Sequence, residues 1–295
     1  MSSQYKGNRA LPVYGLLSGA LVWGLIWYPY RVLSDAGVAG QIATVWTYSI
    51  ALLIGLTLSG GWWREWRLAG WPGVLLIVSA GWTNLGYVLA VLDGEVMRVL
   101  LLFYLAPLWT VVLARLLLGE RLNRDGYAVS ALSLAGAFVM LWQPESGWPL
   151  PQNRAEWLGL SAGMSFALAN VLVRRASHLS VAFKSASVWF GTALLTLAGL
   201  LLEGKTAALL AVPAEAWWLL ALLGLVLFAT SYAVQFGLSH LPANQSIVLF
   251  LFELVVAALA AYWLAGEALG WRELTGAGLI VAASVWSARL EPGAA

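Results

Sequence analysis

Ten apolar stretches, each close to the length a helix needs to cross a bilayer, leave this chain little freedom of fold class. They cover roughly 11 to 31, 38 to 58, 73 to 92, 96 to 118, 125 to 142, 156 to 174, 183 to 202, 216 to 237, 243 to 265 and 271 to 289, and a helix crosses the hydrocarbon core in about 20 residues. The runs are continuous rather than alternating, which fits helices that satisfy their own backbone groups in lipid and not the strands of a barrel. Charges, glycines and prolines gather in short connections, so one membrane domain accounts for the 295 residues. Residues 1 to 10 are polar and the first run is too long for the core of a cleaved signal, so it reads as a retained first span. The sequence predicts an all-α integral membrane protein with ten transmembrane helices.

Composition narrows the chemistry. Charged residues make up 10% of the chain and hydrophobic ones 61%, against roughly 25% charged in ordinary soluble domains. The 16 basic and 14 acidic residues form neither a basic stripe for nucleic acid nor an acidic tail. Cysteine is absent, which excludes thiolate metal sites, disulfides and thiol nucleophiles. With the amino terminus inside, the inner segments hold Lys6, Arg9, Arg64, Arg67, Arg115, Arg121, Arg124, Arg174, Arg175, Lys184 and Arg289, and the outer ones only Arg31, Arg98, Arg154, Lys205 and Arg272. That bias predicts a multi-pass protein of the plasma membrane with both termini cytoplasmic.

Two comparisons within the chain point to a duplication. "GLLSG" at 15 to 19 recurs as "GLSAG" at 159 to 163, displaced by 144, and "LLLGERL" at 116 to 122 recurs as "WLAGEAL" at 263 to 269, displaced by 147. Residues 1–148 would then be a first five-helix repeat and residues 149–295 a second. Five is odd, so the second half enters the membrane from the opposite side, giving two inverted five-helix repeats. Such halves rock about a midplane site in many transporters; duplication as ancestry alone is the weaker alternative. For the glycines themselves, close helix packing is the better reading, since both pentamers fit the small-xxx-small pattern.

Several short marks run from the first span to the last: Trp23 and Gly24, then Ala106, Pro107 and Leu108, then "GERL" from Gly119, Leu241 and Pro242, and "GEAL" from Gly266 followed by Gly276. In order and spacing they resemble the drug/metabolite transporter superfamily, in its ten-span family with two fused five-span halves. The resemblance implies a carrier that moves small organic molecules, commonly outward, with both termini cytoplasmic. The abundance of Trp and Tyr along spans 1, 3, 4 and 8 resembles the branch that exports aromatic and other neutral amino acids. One departure stands out. The family usually carries a proline in the second half where this chain has Leu254, directly after Glu253, so a mechanism built on matched proline kinks is in doubt.

Glu253 is the acidic residue set deep in a span, in "VLFLFELVVAALAAYW" from 248 to 263. A charge at a helix centre costs roughly 3 kcal/mol on insertion scales, so such a side chain faces the bundle interior. Three roles are open: a hydrogen bond to a neighbouring helix that fixes packing, a proton taken up during a transport cycle, or a partner for a substrate ammonium. Proton pumps tend to use relays of several groups, and His178 and His240 lie at span ends, so uniport also stays open.

For the rest of a substrate cavity the candidates are polar or aromatic residues well inside the spans. Trp23 and Trp27 share a face of span 1, and Asn84 and Tyr87 share a face of span 3. Tyr104 precedes Pro107 by about one turn. Pro107 has no N–H for the carbonyl of Phe103, so span 4 can hinge or bend there. Asn170, Tyr232 and Gln235 complete the set. Amphipathic rings and amides in a dry cleft suit an uncharged or zwitterionic ligand with a flat apolar part. Each of these side chains has packing as its plainer reading, and Trp62, Trp63, Trp66, Trp71, Trp148, Trp217, Trp218 and Trp271 fit interfacial belts.

"GLLLEGKT" at 199 to 206 matches the phosphate-loop pattern by letter, but a phosphate cradle needs a preceding strand and a glycine-rich loop. It reads instead as a helix end with Gly204 as terminator and Lys205 among headgroups. No nucleotide, cofactor, metal or nucleic-acid partner is expected; the expected partners are a small-molecule substrate and the lipid bilayer. Two alternatives remain beside amino-acid export: the same fold carrying cationic drugs or other metabolites, and a membrane-embedded enzyme acting on lipid. The enzyme would need a convergent catalytic set, and neither histidine has an acid and a nucleophile at recognisable spacing.

Overall fold

The computed structural model describes residues 10–58, 62–94, 96–142, 150–265 and 269–290. The helices are α1 (Ala10–Asp35), α2 (Gly40–Leu58), α3 (Trp66–Asp93), α4 (Val96–Phe103), α5 (Ala106–Leu118), α6 (Arg124–Leu141), α7 (Arg154–Arg175), α8 (Val181–Leu202), α9 (Trp217–His240), α10 (Ala243–Phe250), α11 (Phe252–Ala265) and α12 (Trp271–Arg289). Short 3-10 turns precede α3 and α9, and no strand occurs among the described residues.

Eight segments are long and apolar enough to cross a membrane: α1, α2, α3, α4 with α5, α7, α8, α9, and α10 with α11. The expected fifth and tenth positions are occupied by α6 and α12, of 18 and 19 residues, which are shorter or more charged at their ends. These two pack on each other, and their backbones meet where a Cβ at Gly136 would strike the carbonyl of Gly276 and one at Gly276 the carbonyl of Gly136.

The packing has an internal order. Helix α1 lies on α9, α10 and α11, and α7 lies on α3, α4 and α5; α2 lies on α9 and α8, and α8 on α3 and α2. Adding or subtracting six from each helix number turns one set of neighbours into the other. Lipid tails are as apolar as leucine, so helices in a membrane associate by close fit rather than by burying oil from water. Gly163 shows that fit, because a Cβ there would overlap the backbone of Phe103 in α4. The outer surface carries many large apolar side chains, among them Leu116, Leu202 and Trp263, suited to hydrocarbon.

Helix ends follow their local sequence. Asn123, Asn153 and Ser180 cap α6, α7 and α8, each accepting from a backbone N–H three residues on. After α8, Gly204 takes a left-handed φ of 68° and the exposed Lys205 ammonium pairs with Glu203 at 2.8 Å, so the phosphate-loop look-alike is a helix end. Trp66, Trp71, Trp217, Trp218 and Trp271 stand exposed near helix starts. Trp148 lies outside the described residues, as do Gly266 and the side chains of Trp62 and Trp63.

Candidate functional site

Two spans are broken at mid-length. Helix α4 stops at Phe103, Tyr104 and Leu105 form a turn, and α5 starts at Ala106. Pro107 sits in the first turn of α5, where its missing N–H is tolerated, and the N–H of Leu108 donates to the carbonyl of Leu105 at 2.9 Å. Helix α10 stops at Phe250 and α11 starts at Phe252. There the N–H of Leu251 is shared between the carbonyls of Ile247 and Val248 at 3.3 and 3.2 Å, and that of Leu254 donates to Leu251 at 3.1 Å. The 147-residue displacement carries Tyr104 onto Leu251, Phe103 onto Phe250 and Pro107 onto Leu254.

The breaks bring side chains together. The Tyr104 hydroxyl lies beside the Glu253 carboxyl, and the Tyr87 hydroxyl is near the same group. Around them runs a chain of rings: Tyr87 edge-on to Phe103 at 5.3 Å, Phe103 stacked on Phe166 at 5.6 Å, Phe166 against Phe250 at 5.3 Å and Phe250 against Trp23 at 5.6 Å. Beside Tyr104 an apolar groove of about 340 Å³ runs between α4–α5 and α6, lined by Leu101, Leu105, Leu108, Leu134 and Phe138.

Of the residues singled out in the sequence, Trp23, Tyr87, Tyr104 and Glu253 thus meet in one cluster. Asn84 is held elsewhere, accepting from the Tyr48 hydroxyl at 3.2 Å and donating to Thr192 at 3.1 Å and to the Ala80 carbonyl at 3.0 Å, a polar node joining α2, α3 and α8. Trp27 is edge-on to Tyr28, and Tyr232 is exposed with its ring tilted against Phe228. Asn170 and Gln235 are buried, each with one amide atom unpartnered. Sequence reading missed Phe103, Phe166 and Phe250. The pairing of Phe103 with Phe250 by the same displacement was the available signal.

Each end of the bundle is tied by charge. At one end Arg98 pairs with Glu156 at 2.9 Å, both nearly closed off, and Glu156 also accepts from the backbone of Gln152 at 2.8 Å and the amide of Asn153 at 2.9 Å. At the other, Arg174 pairs with Glu120 at 3.3 Å and donates to the carbonyl of Ser239 at 3.2 Å, while Glu120 accepts from the N–H of Ala243 at 3.2 Å. Burial pushes the Glu120 carboxyl up and Arg174 beside it pulls the other way. Lys184, fully buried, donates to the Ser239 hydroxyl at 2.9 Å.

The chain matches the EamA-like transporter family twice, over residues 11–142 and 153–289. An uncharacterized transporter of Pseudomonas aeruginosa is 29% identical over 168 residues, 54% of this chain and 53% of that protein. An uncharacterized transporter of Archaeoglobus fulgidus is 27% identical over 207 residues, 68% of this chain and 70% of the relative. Protein RarD of Streptomyces exfoliatus is 25% identical over 52% of this chain and 48% of its own length. The chain therefore spans about half the length of two of these relatives. One solved crystal structure superposes with a TM-score of 0.72 at 20% identity, covering 95% of this chain and 98% of the other, a likeness of fold.

Proposed function

This chain belongs to the EamA-like transporter family of the drug/metabolite transporter superfamily, and from that premise we propose that it exports small metabolites, aromatic and other neutral amino acids foremost, by alternating access about the ringed site at the two helix breaks. The observation that carries this reading is the Glu253 carboxylate against Tyr104, enclosed by aromatic side chains contributed by α1, α3, α4, α7 and α10. A carboxylate receives an ammonium, and rings receive a flat apolar side chain.

In this reading the chain has ten spans in two inverted repeats, residues 1–148 and 149–295, lies in the plasma membrane and keeps both termini in the cytoplasm. Three things support it: the family's double match, the exchange of helix neighbours under a shift of six, and the excess of basic residues in the segments assigned inside. Pro107 serves as hinge of the first break.

The test is efflux of labelled tryptophan, phenylalanine and a small aliphatic amino acid from liposomes holding the purified protein, with and without a pH gradient. Saturable efflux faster than from empty liposomes is expected, and its absence overturns the cargo. A second cargo, organic cations, is favoured by the same carboxylate. Glu253→Gln then abolishes binding of organic cations and weakens amino acids less, since their carboxylate and side chain keep other contacts, and equal loss of both removes the distinction.

A further inference from the structure

We propose that Lys184, with Arg174 and Ser239, forms a second substrate site that receives the carboxylate of an amino-acid zwitterion at the end of the bundle where α7 and α9 finish and α8 begins; this rests on the amino-acid reading above. Lys184 is 1% exposed, and its single hydrogen bond among the described residues goes to the Ser239 hydroxyl. An ammonium has three N–H donors. It forms no ion pair among the described residues: Glu120 pairs with Arg174 and accepts from the Ala243 N–H, while Glu65, near enough to act on Lys184 through its charge but not in contact with it, accepts from the N–H of Ser180. Two cations thus converge on Ser239, Arg174 on its carbonyl and Lys184 on its hydroxyl, and Glu120, the carboxylate in contact with this pair, is bound to Arg174. A buried charge is retained at a cost unless an opposite charge answers it.

The neighbouring orphan atoms indicate what answers. Asn170, one turn before Arg174 on the same face of α7, is buried with its Nδ2 donor unpartnered; Gln235, one turn before Ser239 on α9, is buried with its Oε1 acceptor unpartnered. A donor one turn from Arg174 suits a carboxylate, and an acceptor one turn from Ser239 suits an ammonium. This site is distinct from that of Glu253. Gly15 and Gly19 of α1 lie against Ala233 and Val234, at the level of Gln235, whereas Gly24 lies against the carbonyl of Glu253, about 10 Å further along α1. One amino acid cannot span both, so the substrate occupies them in turn.

The test measures binding of phenylalanine, 3-phenylpropionate and phenethylamine to the purified full chain, by ligand-induced shift of thermal unfolding, in the native sequence, Lys184→Met and Glu253→Gln. We expect Lys184→Met to weaken phenylalanine and 3-phenylpropionate at least tenfold, and Glu253→Gln to weaken phenethylamine while leaving 3-phenylpropionate unchanged. Unchanged binding of 3-phenylpropionate to Lys184→Met overturns the site and leaves amino-acid export standing. Binding of 3-phenylpropionate but not phenylalanine to the native chain, lost in Lys184→Met, keeps the carboxylate site and overturns the amino-acid cargo. No binding of any of the three overturns both. If Lys184→Met does not fold, Asn170→Leu carries the same expectation for the two carboxylates, and unchanged affinity there overturns the site.

Discussion

The break between α4 and α5 and the break between α10 and α11 occupy repeat-equivalent positions and reach a similar shape by different means. At the first, Pro107 has no N–H to give Phe103. At the second, Leu254 has one, yet it turns to Leu251 three residues back. A glycine of a helix from the other half seats against each break: Gly163 of α7 against Phe103, and Gly24 of α1 against Glu253. The kink without proline shows that neighbouring helices suffice to hold the backbone open, so matched prolines are not needed for matched breaks. What differs is the chemistry. One break offers the hydroxyl of Tyr104 and the other the carboxylate of Glu253, so a doubled frame encloses a site with one polar group from each side.

The comparison can be strained most severely at Arg98, whose repeat equivalent is Gln245. Arg98→Ala leaves the Glu156 charge buried and should cost about 3–5 kcal/mol. Gln245→Ala, which removes a hydrogen bond to the Ser287 carbonyl, should cost about 1 kcal/mol; thermal unfolding in detergent separates the two, and equal losses would refute the asymmetry. Gly163→Leu should follow at about 3 kcal/mol, because the obstacle is Phe103 backbone. Gly24→Leu should cost less, since Val256, a side chain, takes part of the overlap, and the same melts decide the order. Tyr104→Phe, which removes the hydroxyl beside Glu253, should lower efflux about tenfold, the equivalent of ~1.4 kcal/mol, with little change in melting. Smallest is Leu254→Pro, which gives the second break the family's usual residue. It falls in the first turn of α11 and should change stability by no more than about 1 kcal/mol, and a large loss would show that the Leu254 N–H holds the break together.

Much of the frame was legible because lipid imposes length and hydrophobicity directly. The run assigned to 271–289 coincides with α12, and the first break was visible through Pro107. The second was not, because a leucine following an acid gives no local sign of a bend that distant glycines impose. Within the site, Glu253, Tyr87 and Tyr104 declared themselves as polar groups too deep to face lipid. Phe103, Phe166 and Phe250 did not, since phenylalanine is equally at home against hydrocarbon or another ring. Arg98 and Lys184 counted only as topology charges, as their partners Glu156 and Ser239 lie more than fifty residues away. Asn84 likewise has partners on two other helices, which no spacing in span 3 reveals.

Helix α7 is fastened to the first half at both of its extremities, Glu156 to Arg98 and Arg174 to Glu120. Those fastenings stand 18 residues apart, about 27 Å along the axis, so one sits at each surface of a bilayer core of about 30 Å. A strut held this way does not drift. If the halves rock as proposed, release of one extremity would let the helix pivot on the other, parting the halves on one surface while pressing them together on the opposite one. Under the alternating access proposed above, the pair of charges that stays closed would be the fulcrum, an interlock against a pore open to both sides at once.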